Sequence, residues 1–303
     1  MKTLIAIVGA TATGKTDLAI ELAKIYKSQI ISFDGRQFYQ EMEIGTAKPS
    51  PEQLATVPHH FINNKSVKEN YTVADFEREG LALLDKLFEN QEIVFAVGGS
   101  GLFLRALAQG LDQMPEVAAE IVDGLENRLK NEGLPTLVEE LKTLDPSTYE
   151  SIDLDNPRRV LRALSVCLAT NQPFSSFKTN QAQPRNFRTY LININYQREN
   201  LYSRINTRVD LMIAAGLEAE ALRLQPLRDL TALQTVGYSE WFDFFDNKIS
   251  HSEAISKIKQ HTRNYAKRQV TWFKRENISL NLVGETTLAE KVEKSKFFID
   301  ALV

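Results

Sequence analysis

The chain has 303 residues, of which 43% are hydrophobic and 25% are charged, and these fractions are typical of a folded globular protein. They exclude a disordered or fibrous chain, and the single cysteine, Cys167, excludes an internal disulfide. No apolar run approaches the ~20 residues that a bilayer span needs, so we expect no membrane insertion and predict a protein of the reducing cytoplasm.

Apolar, β-branched runs alternate along the chain with segments of helical periodicity, such as residues 16–26 and 72–88. The runs predict strands at residues 3–8, 29–33, 92–97, 190–194 and 279–283. Buried strands separated by amphipathic helices favour an α/β fold, in which a parallel sheet is covered by helices on both faces. Any ligand is then expected at the edge where the strands end.

The third and fourth predicted strands are widely separated in the chain. Three segments in this interval have helical periodicity: residues 117–130, 136–144 and 157–169. Asn156 followed by Pro157 is typical of a helix start. We therefore predict an inserted all-helical domain at residues 115–182, within a catalytic core formed by residues 1–114 and 183–303.

The first predicted strand is followed by the pattern G-x-x-x-x-G-K-[ST], formed by Gly9, Ala10, Thr11, Ala12, Thr13, Gly14, Lys15 and Thr16. The glycines let backbone N–H groups turn toward phosphate oxygens, and the following helix adds the partial positive charge of its N-terminus. Lys15 supplies a mobile cation, and Thr16 can hold Mg²⁺. The pattern predicts a polyphosphate site on a P-loop NTPase-like sheet.

A polyphosphate site does not specify the reaction. Kinases and NTPases usually place an acid after a second strand, but here the strand at residues 92–97 ends in Gly98-Gly99-Ser100-Gly101. A carboxylate follows the strand at residues 29–33 instead, at Asp34, beside a polar and aromatic stretch that suits a planar substrate. Taken alone, Asp34 is best explained as a helix cap or a water-bridged metal ligand.

Charge is distributed unevenly along the chain. The 36 Lys and Arg residues against 39 Asp and Glu residues give a net charge of −3, which argues against nonspecific binding of nucleic acid. Residues 257–276, however, contain seven basic residues and one acidic residue, so this segment is +6 and the rest of the chain is −9. The segment is either a solvated helix face or a surface that binds a polyanion.

Seven segments form an ordered set of motifs: GATATGKT (9–16), DGRQFYQEMEIGTAKP (34–49), PHHFI (58–62), GGSGLFLRAL (98–107), NPRRVLRALSV (156–166), TVGYSEW (235–241) and QHTRNYAKRQVTWFKRE (260–276). Together they resemble the signature blocks of the tRNA dimethylallyltransferase family, also called tRNA isopentenyltransferases or IPP transferases. The resemblance implies transfer of the dimethylallyl group of dimethylallyl diphosphate to the exocyclic amine of the adenosine immediately 3′ of the anticodon, with release of diphosphate. It implies Mg²⁺ as cofactor and the tRNA anticodon stem-loop as partner. We expect a monomer without an obligate protein partner.

The resemblance also implies roles for individual residues. Asp34 matches the family's catalytic aspartate, which takes a proton from the adenine amine. Thr11 is expected near the reacting atoms, while Lys15 and Arg204, from an R-x-x-x-R-x-x-x-M pattern with Arg208, are expected to neutralise the leaving diphosphate. The implied diphosphate contacts are Gly9, Ala10, Thr11, Ala12, Thr13, Gly14, Lys15, Thr16, Ser100 and Arg204, with Thr16 also the metal ligand.

Acceptor recognition requires the target base to leave its stack and meet planar partners. Gln37 is expected to read an adenine edge, and Phe38, Tyr39 and Tyr238 are candidates for stacking. Basic residues of two helices are expected to follow the RNA backbone. The implied tRNA-binding set is Asp34, Gln37, Arg158, Arg159, Arg162, Tyr238, Arg263, Lys267 and Arg268.

Departures from the family pattern leave alternatives open. Gly35 stands where a serine usually follows the aspartate, so an RNA-binding protein without catalytic activity is one alternative. A P-loop kinase acting on a small molecule or nucleotide is a second, and a prenyltransferase acting on free AMP or ATP is a third. His59 and His60 match a family block, and we predict a structural role for both.

Overall fold

The computed structural model of the chain describes residues 1–179 and 181–302. Residues 180 and 303, which fall in the predicted domain ranges, lie outside the described residues. Within the described part of the chain, no helix is both long enough and apolar enough to cross a membrane.

The chain divides into two compact units. The first comprises Met1–Gln109 and Pro184–Val303, and the second comprises Gly110–Gln183. The insertion predicted at residues 115–182 lies inside the range of the second unit, which begins a few residues earlier in the chain.

A six-stranded parallel sheet forms the centre of the first unit, with strand order β3-β2-β4-β1-β5-β6. The strands are β1 (Thr3–Gly9), β2 (Ile30–Ser32), β3 (His59–His60), β4 (Ile93–Val97), β5 (Arg188–Asn195) and β6 (Leu280–Val283). In the register of the central strands, Ala6 of β1 pairs with Ala96 of β4 and Leu191 of β5. The predicted α/β fold is confirmed, and among the strands of the described residues only the two-residue β3 was missed, because it has no apolar run.

The helices are α1 (Lys15–Ile25), α2 (Pro51–Thr56), α3 (Val73–Leu87), α4 (Gly101–Gln109), α5 (Ala119–Glu132), α6 (Leu134–Leu144), α7 (Pro146–Ser151), α8 (Pro157–Thr170), α9 (Arg198–Ala214), α10 (Leu217–Leu224), α11 (Ser239–Phe245), α12 (His251–Phe273) and α13 (Leu288–Asp300). Local sequence fixes several helix starts, because a side-chain oxygen there accepts a backbone N–H. Asn156 caps α8 with Pro157 in its first turn, as predicted, and Ser250 caps α12 through a reciprocal capping box.

Side chains of β1 alternate between two apolar layers, because successive residues of a strand face opposite sides of the sheet. Leu4 and Val8 pack in one layer with Phe76 of α3, and Ile5 packs in the other with Leu18 of α1. All seven residues of β1 are buried, so the loop that follows this strand starts from a rigid position.

The second unit contains α5 to α8. Its apolar core is formed by Leu125, Leu137, Leu141, Val160, Ala163 and Leu164. Asp145, only 1% exposed, caps α7 and accepts hydrogen bonds from the backbone N–H and hydroxyl groups of Thr148 and Ser175, at 2.6 to 2.9 Å. This buried carboxylate links α7 to the turn that follows α8.

Candidate active site

The loop between β1 and α1 has the backbone of a phosphate-binding turn. Gly9, Ala12 and Gly14 have φ angles of 140°, 64° and 83°, so the chain turns through the left-handed region three times in six residues. A Cβ atom on Gly9 would lie 2.9 Å from the carbonyl oxygen of Ile194, which excludes a larger residue there. The loop ends at the N-terminus of α1, where helix N–H groups favour an anion.

Two side chains of the loop bond to the carbonyl oxygen of Ala10. The Thr13 hydroxyl donates a hydrogen bond of 2.9 Å to it, and the Lys15 ammonium donates one of 2.6 Å. Burial and, to a smaller extent, the nearby Arg208 lower the pKa of Lys15 to about 7, while Asp34 acts in the opposite direction. Lys15 is thus a cation whose charge depends strongly on an anionic partner.

Asp34 lies two residues after the end of β2, a strand that pairs with the central strand β4. Its Oδ1 accepts a 3.0 Å hydrogen bond from the backbone N–H of Arg36. Burial raises the pKa of Asp34, while this bond and the charge of Lys15 oppose the rise. A carboxylate with a raised pKa is a stronger base than a free aspartate, which suits proton abstraction.

Ser100 connects the end of β4 to the Asp34 segment. Its hydroxyl accepts a 3.0 Å hydrogen bond from the backbone N–H of Gly35. Ser100 lines the same cavity as Asp34, and it is not among the residues that surround Lys15 and Thr16. The structure therefore groups Ser100 with the candidate base, whereas the sequence predicted a diphosphate contact.

Two arginines of α9 approach the phosphate loop differently. Arg204 Nε donates a 2.8 Å hydrogen bond to the carbonyl of Ala12, and the Arg204 side chain is exposed. Arg208 lies deeper and donates bonds of 3.3 Å to the Thr11 hydroxyl and 3.4 Å to the Ala47 carbonyl. Burial lowers the pKa of Arg208, and the Asp34 carboxylate opposes this change. The predicted site residues omitted Arg208, although its spacing of four from Arg204 places both on one helix face.

Two neighbouring cavities meet at Arg208, which lines both of them together with Ala47. The first, of about 320 Å³, contains Thr11, Asp34, Ser100, Arg208, Met212 and Tyr265. The second, of about 430 Å³, contains Ala12, Thr13, Gly14, Lys15, Thr16, Lys48 and Arg204. A cationic cavity beside one that holds a half-buried carboxylate can separate a leaving anion from a proton acceptor.

Gln37 and Tyr238 differ from their predicted roles. The Gln37 Oε1 accepts from Ser32, and its Nε2 donates to the carbonyls of Thr46 and Ala47, so the amide is bonded within the protein at both ends. Tyr238 is completely buried, as Phe38 and Tyr39 nearly are. These three aromatics pack in one core cluster, so stacking on an extruded base does not fit their positions. Hydropathy alone did not distinguish core aromatics from exposed ones.

The predicted RNA-contacting cations lie on two helices. On α12, Lys267 and Arg268 are exposed, whereas Arg263 is half-buried and donates a 2.7 Å hydrogen bond to Asn206. On α8, Arg158, Arg159 and Arg162 are exposed. His59 and His60, predicted to be structural, form hydrogen-bond contacts with the Val57 carbonyl and the Gln29 side chain.

Thr16 is the residue predicted to hold Mg²⁺, and it lines the second cavity beside Lys15. Nowhere in residues 1–179 and 181–302 do three or more His, Cys, Asp or Glu side chains form a group that could hold a metal. Mg²⁺ often keeps several waters and binds through few protein oxygens together with substrate phosphates. The hydroxyl of Thr16 fits that mode of binding.

Comparisons with known proteins agree on one family. The family model described as IPP transferase matches residues 37–276. The chain is 48% identical over 281 residues to the tRNA dimethylallyltransferase of Flavobacterium psychrophilum, covering 91% of this chain and 92% of that protein. It is 46% identical over 273 residues to the tRNA dimethylallyltransferase of Christiangramia forsetii, covering 90% of each chain.

Solved structures give the same result. The crystal structure of the tRNA isopentenylpyrophosphate transferase from Bacillus halodurans superposes with a TM-score of 0.74 at 33% identity, covering 99% of this chain and 96% of that one. A eukaryotic dimethylallyltransferase acting on tRNA superposes with a TM-score of 0.82 at 24% identity, covering 99% of this chain and 80% of that chain, which shows a shared fold.

Proposed function

This chain belongs to the IPP transferase family, and we propose that it transfers the dimethylallyl group of dimethylallyl diphosphate to the exocyclic amine of the adenosine immediately 3′ of the anticodon in tRNA. One observation carries the proposal: the cavity containing Asp34 and the cationic cavity of the phosphate loop adjoin at Arg208. The first suits the reacting amine, and the second suits the diphosphate that leaves.

Departure of the diphosphate needs positive charge at its oxygens, because an allylic carbon ionises readily once that charge is stabilised. Lys15 and Arg208 supply half-buried cations, Arg204 supplies an exposed one, and backbone N–H groups of the loop add partial charge. When bound, Mg²⁺ would neutralise further charge on the diphosphate, and Thr16 would hold it.

The adenine amine is a poor nucleophile, since its lone pair is delocalised into the ring, and a base must take its proton as the bond forms. Asp34 has the position and the raised pKa for this step. Thr11 lines the same cavity as Asp34, and its hydroxyl lies 3.3 Å from the Arg208 guanidinium, where it can contact the oxygen that bridges carbon and phosphorus.

The acceptor is proposed to be a large RNA. Exposed Lys267 and Arg268 on α12, and Arg158, Arg159 and Arg162 on α8, supply cations for a phosphate backbone. A free nucleotide acceptor would require neither surface. The single cysteine, buried and unpaired, suits the reducing cytoplasm that we propose as the site of action.

A P-loop kinase is not favoured. A Cβ atom on Gly98 would lie 2.5 Å from the Phe33 ring, and one on Gly99 would lie 2.1 Å from the Gln269 amide. Positions 98 and 99, directly after β4, therefore have no room for the acid that organises the metal in such kinases. The relatives described above are named as tRNA dimethylallyltransferases, which also argues against a kinase.

The alternative of an RNA-binding protein without catalytic activity rests on Gly35, which lacks the hydroxyl that the family usually has beside the aspartate. Backbone groups orient this segment instead: the Asp34 carboxylate accepts from the N–H of Arg36, and the N–H of Gly35 donates to Ser100. The carboxylate is thus held without a side chain at residue 35, which supports an active enzyme.

The test is incubation of the protein with an adenosine-containing anticodon stem-loop, dimethylallyl diphosphate and Mg²⁺, followed by mass spectrometry of the nucleosides. We expect one prenyl group added to adenosine, with an equal amount of diphosphate released. Binding of the RNA without any prenylated nucleoside would favour the inactive RNA-binding protein. Tight ATP binding that dimethylallyl diphosphate does not displace, together with phosphorylation of a small molecule, would favour the kinase.

A further inference from the structure

Gln269 of α12 joins the phosphate loop to the turn after β4. Its Oε1 accepts a 2.8 Å hydrogen bond from the backbone N–H of Thr11, and its Nε2 donates a 3.0 Å hydrogen bond to the carbonyl of Gly99. The residue is only 5% exposed. A single buried amide therefore fixes two backbone segments that are far apart in the chain.

Glycines at the end of β4 create the space for this contact. A Cβ atom on Gly99 would lie 2.1 Å from the Gln269 Nε2, and one on Gly101 would lie 2.1 Å from the indole nitrogen of Trp272. Both clashes are with α12, so the glycines allow this helix to approach the site closely. Because one partner of Gln269 is a donor and the other an acceptor, the position requires a side chain that offers both functions.

The bond to Gln269 decides how the loop presents Thr11. In a phosphate-binding turn the backbone N–H groups usually face the anion, but the N–H of Thr11 faces α12 instead. With that peptide held, the Thr11 hydroxyl accepts from Arg208 at 3.3 Å and lines the cavity that contains Asp34. Loss of the bond would free the peptide to rotate and move the hydroxyl away.

We propose that Gln269 is a positioning residue of the phosphate loop. It holds Thr11 and the loop backbone in the conformation that binds the diphosphate and supports prenyl transfer. The proposal rests on the proposed function for the identity of the diphosphate. Both ends of the Gln269 amide are bonded to backbone groups of the protein, so we infer that its effect on the reaction is exerted through Thr11.

The experiment compares Gln269→Glu and Gln269→Leu with Gln260→Glu and Gln260→Leu. Glu keeps the acceptor for Thr11 and loses the donor to Gly99, whereas Leu loses both. Gln260 lies on the same helix and is exposed, so its variants control for the chemistry of the substitution. Inorganic pyrophosphate with Mg²⁺, titrated calorimetrically well below each melting temperature, is the probe, and turnover on RNA is measured in parallel.

We expect Gln269→Leu to weaken pyrophosphate binding about tenfold and to lower turnover more than that, because Thr11 is misplaced as well as the loop. Gln269→Glu should have the smaller effect on pyrophosphate, and both Gln260 variants should match the parent. A lower melting temperature with parental pyrophosphate affinity and parental turnover in both Gln269 variants would overturn the proposal.

The proposed function can fail separately. If the parent protein binds pyrophosphate but prenylates no RNA, while the Gln269 variants bind pyrophosphate more weakly, the positioning role is retained and the function is rejected. If the parent prenylates RNA and the Gln269 variants equal it in both measurements, the function is retained and the positioning role is rejected.

Discussion

The buried hydroxyl of Tyr238 donates a 2.7 Å hydrogen bond to the carboxylate of Glu220. The same carboxylate, on a residue that is 4% exposed, accepts three backbone N–H groups, from Glu43, Ile44 and Gly45, at 2.9 to 3.1 Å. A Cβ atom on Gly45 would lie 2.6 Å from the Tyr238 ring, so this close approach to Tyr238 requires glycine at residue 45. Glu220 thereby anchors the segment whose carbonyls hold Gln37 and Arg208.

Changing Glu220 to Gln should lower the free energy of unfolding by roughly 1–3 kcal/mol, because an NH₂ group would then face buried N–H donors. Tyr238→Phe should lower the free energy of unfolding by less, about 1 kcal/mol, because the Glu220 carboxylate keeps its backbone partners. Denaturant unfolding measures both. Asp145→Asn is the matched control, because Asp145 also accepts four hydrogen bonds but lies in the helical unit. Pyrophosphate affinity should fall for Glu220→Gln and stay parental for Asp145→Asn.

Asp34→Asn should lower turnover by ~10²-fold to 10⁴-fold while leaving RNA affinity nearly unchanged, as expected for loss of a general base. The amide oxygen of Asn can still accept from the N–H of Arg36, so the loop should keep its conformation. In the parent protein, turnover should fall at acid pH as the carboxylate takes up its proton, at a pH above the ordinary range for aspartate. Unchanged turnover would remove Asp34 from the mechanism.

The same variant should be more stable than the parent at neutral pH. Because burial raises the pKa of Asp34, the folded state retains a proton that the unfolded state has already released, so stability falls as pH rises through the folded pKa. Asn carries no charge and avoids this cost. The difference in melting temperature between the two proteins should therefore shrink as the pH is lowered toward ~4, because Asp34 then takes up a proton in the unfolded state as well as in the folded state.

Lys15 should take up a proton when pyrophosphate binds above neutral pH. Its pKa is about 7 in the free protein, so it is largely neutral at pH 8, and an adjacent anion raises that pKa. Calorimetry at pH 8 in buffers of different ionisation enthalpy should report an uptake of about one proton relative to Lys15→Arg, whose side chain stays charged. Affinity should accordingly decline above pH 7 in the parent. Equal proton uptake in the two proteins would contradict a neutral Lys15.

Arg208 should matter more for turnover than Arg204. Arg208 is half-buried and lines both cavities, so Arg208→Ala should lower turnover by ~10²-fold to 10³-fold, as for other preorganised groups that stabilise developing charge. Arg204 is exposed to solvent, and Arg204→Ala should lower turnover about tenfold. Single-turnover kinetics at saturating substrate compares them. The reverse order would show that the diphosphate lies nearer the outer arginine.

Lys267 and Arg268 should contribute to RNA affinity through charge alone. Replacing both with Ala should reduce the slope of log affinity against log salt concentration by about 1 to 2 in magnitude, with pyrophosphate affinity unchanged. Lys24→Ala is the control, because Lys24 is also exposed and basic but is paired with Glu21 on α1. If the salt dependence of the double variant equals that of the control, α12 does not contact the RNA backbone.

Local sequence was sufficient for the fold and for the phosphate loop. The strands of the sheet's centre are short apolar runs, and the loop directly follows the first of them with glycines and a lysine at fixed spacing, so neither needed long-range information. Asp34 could be placed at the same sheet edge for a similar reason, since parallel strands end on one side.

Other features depend on partners distant in the chain. Whether Tyr238 is exposed depends on Glu220 reaching it across a turn, and whether Gln37 is free depends on the carbonyls of Thr46 and Ala47. The choice between Arg204 and Arg208 depends on the rotation of α9 against the loop. Periodicity places both arginines on one face but does not say which lies deeper.

The hydrogen bond from Thr11 to Gln269 spans 258 residues, so the phosphate loop is completed only after α12 has been synthesised. The pairing of β1 with β5 likewise waits for the second unit to be synthesised. A nascent chain should therefore bind the prenyl donor tightly only after residue 269 has emerged from the ribosome. Chains stalled before residue 269 should not be retained on immobilised pyrophosphate, whereas released full-length chains should be.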